Sequence, residues 1–229
     1  MSRQANVGLV LLASAAVLGG MVWMNGESDR HTIQASQPSE SQRIEIAQSR
    51  PVASPLLNEV DPTQFLDPIP VGQKAPDFAA KDAKGRTVKL SQFLGKKNVV
   101  MVFYSGSKCP VCGAQLSNLQ THLKDYAVQE AEVIAISADD TVHANKSVGE
   151  HGLTFYVIPD AKKEIIKKYG VANVARSGSA WPASFVIDKK GIVRLSVADP
   201  KGKRLHSNEL LPALSKITKK PAPKLEYDQ

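Results

Sequence analysis

Cys109-Pro110-Val111-Cys112 contains both cysteines of this 229-residue chain, three positions apart. Two thiols one helical turn apart can close a small disulfide and reopen it by exchange with another thiol. Before the pair runs Asn98-Val-Val-Met-Val-Phe-Tyr104, apolar and β-branched, which predicts a buried strand. After it, Leu116, Leu119, Leu123 and Tyr126 recur at helical spacing and predict a helix over residues 110–126. Ser105-Gly106-Ser107-Lys108 makes the turn between them. Cys109 therefore falls at the start of the helix, where unpaired N–H groups and the helix dipole favour an anion. The neighbouring Lys108 lowers the thiol pKa further. Pro110 suits the first helical turn, where no N–H is needed. A purely structural bridge is a poor fit, because a loop of two intervening residues removes little chain entropy. A zinc site asks for about four ligands at set spacing. His31, His122, His143, His151 and His206 are scattered, so no metal site and no cofactor are expected.

The flanking sequence must position this turn. Phe78 to Leu90 reads as a hairpin turning at Lys84-Gly85, with Ser91 capping a short helical turn at 92–94. Strands are expected at 132–137, 154–158, 183–187 and 192–197, the last two joined by Asp188-Lys-Lys-Gly191. Helices are expected at 141–151, 161–169 and 208–218, the last containing Pro212. Buried strands alternating with helices predict a parallel core, and the final hairpin makes the sheet mixed. The cysteines then stand at the carboxyl end of the first core strand, where open α/β sheets hold their sites.

Four segments are expected: a membrane anchor or signal segment at 1–26, a linker at 27–70, an α/β domain at 71–219 and a polar tail at 220–229. Val7 to Met24 is an uncharged apolar run of 18 residues, just long enough to span a bilayer. Arg3 and the free amino terminus predict that the N-terminus stays in the cytoplasm and the rest lies outside. Bulky Met21-Val-Trp-Met24 lacks a small-residue cleavage pattern, which favours an uncleaved anchor over a removed signal peptide. The expected location is a single pass through a bacterial inner membrane, by residues 7–24, with the redox domain in the periplasm. The linker, with Pro38, Pro51, Pro55, Pro62, Pro68 and Pro70 among Ser and Gln, reads as a tether. In an oxidising compartment the pair must exchange electrons with a partner to cycle, either a membrane electron relay or a protein thiol or disulfide.

The chain is 42% hydrophobic and carries a formal charge of +7. Its basic residues cluster at Lys162, Lys163, Lys167 and Lys168, at Lys201, Lys203 and Arg204, and at Lys216, Lys219, Lys220 and Lys224. No aromatic or Gly-rich nucleic-acid pattern accompanies them, so they read as a solvated face and tail, and no nucleic-acid partner is expected.

Several segments together resemble the thioredoxin-like superfamily, and within it the redoxin group of peroxiredoxin-like (AhpC/TSA) proteins and membrane-tethered thiol–disulfide oxidoreductases. They are Val71-Gly-Gln-Lys-Ala-Pro-Asp-Phe78, Gly85 with Val88-Lys-Leu90, and Phe103-Tyr-Ser-Gly-Ser-Lys-Cys-Pro-Val-Cys112. Ala135-Ile-Ser-Ala-Asp139, Tyr169-Gly-Val171 and Trp181-Pro-Ala-Ser-Phe-Val-Ile-Asp188 with Gly191 complete the set. The resemblance covers nearly all of 71–197. It implies a thioredoxin-like α/β fold, and it implies that Pro182 is the family's cis-proline facing the cysteines. Trp181 and Arg176 would then line a substrate groove beside it.

Two chemistries follow. In thiol–disulfide exchange, the Cys109 thiolate attacks a protein disulfide and Cys112 resolves the mixed disulfide. In the peroxidase alternative, Cys109 attacks a peroxide oxygen, becomes a sulfenic acid and condenses with Cys112. Peroxiredoxins place a Pro seven residues and a Thr or Ser three residues before the attacking cysteine. Here those positions are Val102 and Gly106, which turns the sequence reading towards exchange; in the peroxidase alternative Ser105, Ser107 or Arg176 would be the substitute donors. The buried acid of thioredoxins is absent from Asn98–Tyr104. Asp139 and Asp140 could move protons, although strand-end aspartates more often cap the next helix. A copper metallochaperone is the least favoured alternative, since a paired histidine and a wider cysteine spacing are missing.

Overall fold

In the computed structural model, the described residues are Thr63, 66–176, 178–223 and Leu225. The apolar run 7–24 and most of the linker lie outside them. Among the described residues no helix is long and apolar enough to cross a membrane.

Strand β3 (Asn98–Tyr104) is the spine of the domain, with every residue buried. It runs parallel to β4 (Ala131–Ser137), which runs parallel to β5 (Tyr156–Pro159). On its other side β3 pairs antiparallel with β8 (Ala183–Ile187), and β8 with β9 (Val193–Ala198). The five-stranded order β5-β4-β3-β8-β9 is the expected mixed sheet. The two-residue period of β3 divides the core. Val99, Met101 and Phe103 face one side with Ile134, Ile136 and Phe185. Val100, Val102 and Tyr104 face the other with Leu116, Leu119, Tyr126 and Leu211.

The first face is closed by Phe103, Tyr169 and Phe185, whose ring centroids stand 5.3 to 5.7 Å apart. It also packs the N-terminal hairpin of β1 (Ala79–Lys81) and β2 (Thr87–Lys89), which turns through Gly85 as expected. The second face is covered by α1 (Pro110–Thr121), α2 (Leu123–Val128) and the last helix, α5 (Ser207–Thr218). The long helix expected from the cysteines to Tyr126 is thus two helices. The break falls at His122, where the Thr121 hydroxyl donates back to the Ser117 carbonyl and His122 Nδ1 meets Asp125 at 3.0 Å. Helix α3 (Thr141–Glu150) starts at Asp140, whose carboxylate accepts from the His143 N–H. Helix α4 (Glu164–Lys168) is shorter than the 161–169 expectation, because Asp160 accepts from the N–H groups of Glu164 and Ile166 and sets the start.

A small ladder of β6 (Ala172–Asn173) and β7 (Ser179–Ala180), with a 3-10 turn at Val174–Arg176, carries no periodic signal in the sequence. Structure also extends to both sides of 71–219. The Asp67 N–H donates to the Gly170 carbonyl while Leu66 and Ile69 pack on the core. At the other end Gln129 donates to the Pro221 carbonyl.

Candidate active site

The parallel strands end together, so the loops after β3, β4 and β5 share one edge of the sheet with the loop before β8 and the one after β9. Cys109 caps α1 in extended backbone and Pro110 opens the helix, as read from the sequence. Cys109 and Cys112 are bonded through their sulfurs, with a Cα–Cα distance of 5.2 Å. Cys112 is 1% exposed and packs with Leu116 and Leu119, whereas Cys109 is only partly buried. An incoming reactant therefore reaches Cys109.

The turn is held from below by Asp139. Its Oδ2 accepts from the Ser107 N–H at 2.9 Å and from the Ser137 hydroxyl at 3.0 Å. Gly106 sits at φ +135°, and a Cβ there would lie 2.6 Å from Asp139 Oδ1, so only glycine allows the close approach. Asp139 fixes the turn, while Asp140 caps α3 with its carboxyl held below the usual range by the His143 N–H. Beneath the turn Tyr104 is buried, which pushes its phenol up to about 12 and keeps it neutral. Behind the cysteines Gly113 admits the His151 ring, whose Nδ1 meets the Ser117 hydroxyl at 3.1 Å.

A cleft of about 510 Å³ opens beside Cys109, lined among others by Ser107, Lys108, Asp139 and His143. Lys108 is exposed at its rim. The Ser107 hydroxyl is buried without a hydrogen-bond partner. No metal-binding group of His, Cys, Asp and Glu exists among the described residues.

One expectation needs correction. The Trp181–Pro182 peptide is trans, since the chain contains no cis bond among the described residues. Pro182 simply opens β8: its carbonyl accepts from the Asp199 N–H, and the next residue, Ala183, is already in register with Phe103. Arg176 is exposed on the 3-10 turn, its backbone N–H donating to Asn173 Oδ1. Trp181 is half-buried beside Pro182, its N–H on the Val171 carbonyl and its indole Nε1 buried without a partner.

The cation at the sulfurs is Arg204, from the loop after β9. Its Nη2 donates to Cys112 Sγ at 3.2 Å and to Cys109 Sγ at 3.5 Å, and its Nη1 to the Gly202 carbonyl at 2.7 Å. Arg204 Nε is buried without a partner, and burial pulls the guanidinium pKa below its usual value. In the sequence Arg204 stands in a basic cluster that reads as solvated surface. The one local hint is the Leu205 that follows it, a buried apolar residue in an otherwise polar loop.

A thioredoxin-like sheet that presents a disulfide closed over two residues at the head of its first core helix is an arrangement able to carry thiol redox chemistry. A profile of the AhpC/TSA family matches residues 71–196. A chloroplastic 2-cysteine peroxiredoxin of Chattonella marina var. antiqua is 35% identical over 141 residues, covering 57% of this chain and 71% of that protein. A chloroplastic peroxiredoxin Q of Populus jackii is 29% identical over 184 residues, covering 80% and 85%. Among solved structures, a reduced 2-Cys peroxiredoxin of Plasmodium vivax superposes with a TM-score of 0.58 at 26% identity, over 65% of this chain and 96% of that one. The chain belongs to the AhpC/TSA family, and it is a thiol-dependent oxidoreductase.

Proposed function

We propose that this protein is a thiol peroxidase in which Cys109 attacks the peroxide and Cys112 resolves the product. The observation that carries the reading is the unequal exposure of two bonded cysteines on a peroxiredoxin-like frame, together with the peroxiredoxin relatives. The sequence alone turned towards disulfide exchange, because Val102 and Gly106 lack the usual donor pattern. The Ser107 hydroxyl supports the peroxidase reading instead, as a buried donor without a partner among the described residues, on a residue that lines the cleft.

In the reaction the Cys109 thiolate attacks one peroxide oxygen and the O–O bond breaks. The leaving oxygen takes a proton and departs as water or alcohol, and Cys109 becomes a sulfenic acid. The Cys112 sulfur then attacks Cys109, expelling that oxygen as water and forming the disulfide. Two electrons and two protons from an external thiol pair return the enzyme to its starting state. Lys108 and the start of α1 favour the Cys109 thiolate.

The test is hydrogen peroxide consumption by the purified protein with dithiothreitol as reductant. Cys109→Ser is expected to abolish it. Reduced beforehand and freed of dithiothreitol, Cys112→Ser is expected to carry out one turnover and hold a sulfenic acid that dimedone captures. Reduction of a protein disulfide without peroxide consumption would sink this reading in favour of exchange. The apolar run 7–24 supports the further proposal that the domain is tethered to a membrane, with a relay or thiol protein as electron donor. Recovery of the full-length protein from the soluble fraction of its native cells would overturn that part.

A further inference from the structure

We infer that Arg204 is a catalytic residue for the reductive half of the cycle, holding the Cys112 sulfur as the thiolate that leaves when a reductant attacks Cys109. The inference rests on the Cys109–Cys112 pair being redox-active, as proposed above.

The Arg204 guanidinium lacks an ionic partner among the described residues. It carries five N–H donors and a full positive charge. Among the described residues it has no carboxylate partner; it meets one carbonyl, at Gly202, and two sulfurs, while Nε meets nothing. A disulfide is neutral and its sulfurs are weak acceptors, so the oxidised protein holds a half-buried cation with no compensating anion among the described residues. Reduction creates that anion at the atoms Nη2 already touches. The contact is stronger in the reduced, ionised state than in the oxidised one, which is the condition for a group to promote the step.

The geometry also fixes which sulfur leaves. Cys112 is the more buried sulfur and the nearer to Nη2. An external thiolate reaches Cys109 Sγ, forms a mixed disulfide there and breaks the Cys109–Cys112 bond. The electron pair of that bond goes to Cys112, facing Arg204. A second thiol of the reductant then attacks the mixed disulfide at its own sulfur, releasing Cys109, and the reductant leaves as the disulfide. Two electrons pass from the reductant to the pair.

Arg204 is held over the sulfurs by the helix that carries them. Gln115 of α1 is buried and donates to the Leu205 carbonyl at 2.8 Å, while Asn118 of α1 accepts from the Ser207 N–H at 2.8 Å. The Tyr126 hydroxyl donates to Ser207 Oγ at 3.0 Å. These three contacts latch the 205–207 segment to α1 and α2 from far along the chain, so Arg204 keeps its place relative to the sulfurs.

The experiment equilibrates the full-length protein and its Arg204→Met and Arg204→Lys variants with dithiothreitol redox buffers at one pH, counting free thiols. Thermal midpoints are measured alongside. Arg204→Met is expected to lower the equilibrium constant for reduction tenfold or more, about 30 mV for a two-electron couple. It is also expected to slow the bimolecular reduction at least tenfold, and Arg204→Lys should recover part of both losses. Values within twofold of wild type in a folded Arg204→Met protein overturn the inference, as do equal losses in Met and Lys variants. A wild-type disulfide that resists dithiothreitol in the folded protein would overturn the redox reading itself. Absence of peroxide consumption alongside an intact Arg204 effect would overturn only the peroxidase reading.

Discussion

Gly106→Ala tests whether the active-site turn is held as tightly as its contacts imply. At φ +135° an alanine is strained by about 1–3 kcal/mol whatever surrounds it. Its Cβ would also lie 2.6 Å from Asp139 Oδ1 and 3.2 Å from the carboxyl carbon. That carboxylate cannot turn aside freely, because its other oxygen holds the Ser107 N–H and the Ser137 hydroxyl. Giving up such charged hydrogen bonds costs about 1.5–3 kcal/mol. The single variant should therefore lose about 2.5–6 kcal/mol, a large part of an ordinary domain's stability. In an Asp139→Ala background the clash has no partner, and Gly106→Ala should cost only the backbone strain. Urea unfolding of the wild type, both single variants and the double variant gives the coupling, expected at about 1.5–3 kcal/mol with the double variant milder than the sum. Additivity within about 0.5 kcal/mol would refute the close approach of Asp139 to Gly106.

Other outcomes follow from the same contacts. Glu130 is held down to about 2, first by its hydrogen bond to Lys189 and then by Lys220. Because the folded value lies below the ordinary 4.5, its contribution is fully present above pH 4.5 and is lost as pH falls through about 2. Glu130→Gln should flatten the fall of thermal midpoint across that window, and an unchanged slope would count against the paired cations as the cause. Tyr126→Phe removes the donor to Ser207 Oγ and should cost about 0.5–1.5 kcal/mol in urea unfolding. A variant as stable as wild type would mean that the Tyr126 bond does not help latch the 205–207 segment.

The sequence determined by itself the parts of this protein whose signals are local. The unbroken apolar run Asn98–Tyr104 had to be a buried strand. The Leu116 and Leu119 spacing had to place a helical face on it, and the cysteines between them had to fall at a helix start. Asp188 to Gly191 likewise wrote its own turn. Tertiary structure decided what those elements bring together. Ser107 and Asp139 are 32 positions apart, and Arg204 lies 92 and 95 positions from the two cysteines it touches. Pro182 was read through resemblance as cis, yet its peptide is trans where it opens β8 beside β3. Arg204 looks in sequence like one more solvated cation, because charge has no periodicity that reveals burial. Apolar side chains announce their faces through repeats of two or 3.6 residues. A buried polar contact depends on which distant carbonyl, carboxylate or sulfur the chain topology delivers, and a sequence segment contains no record of that.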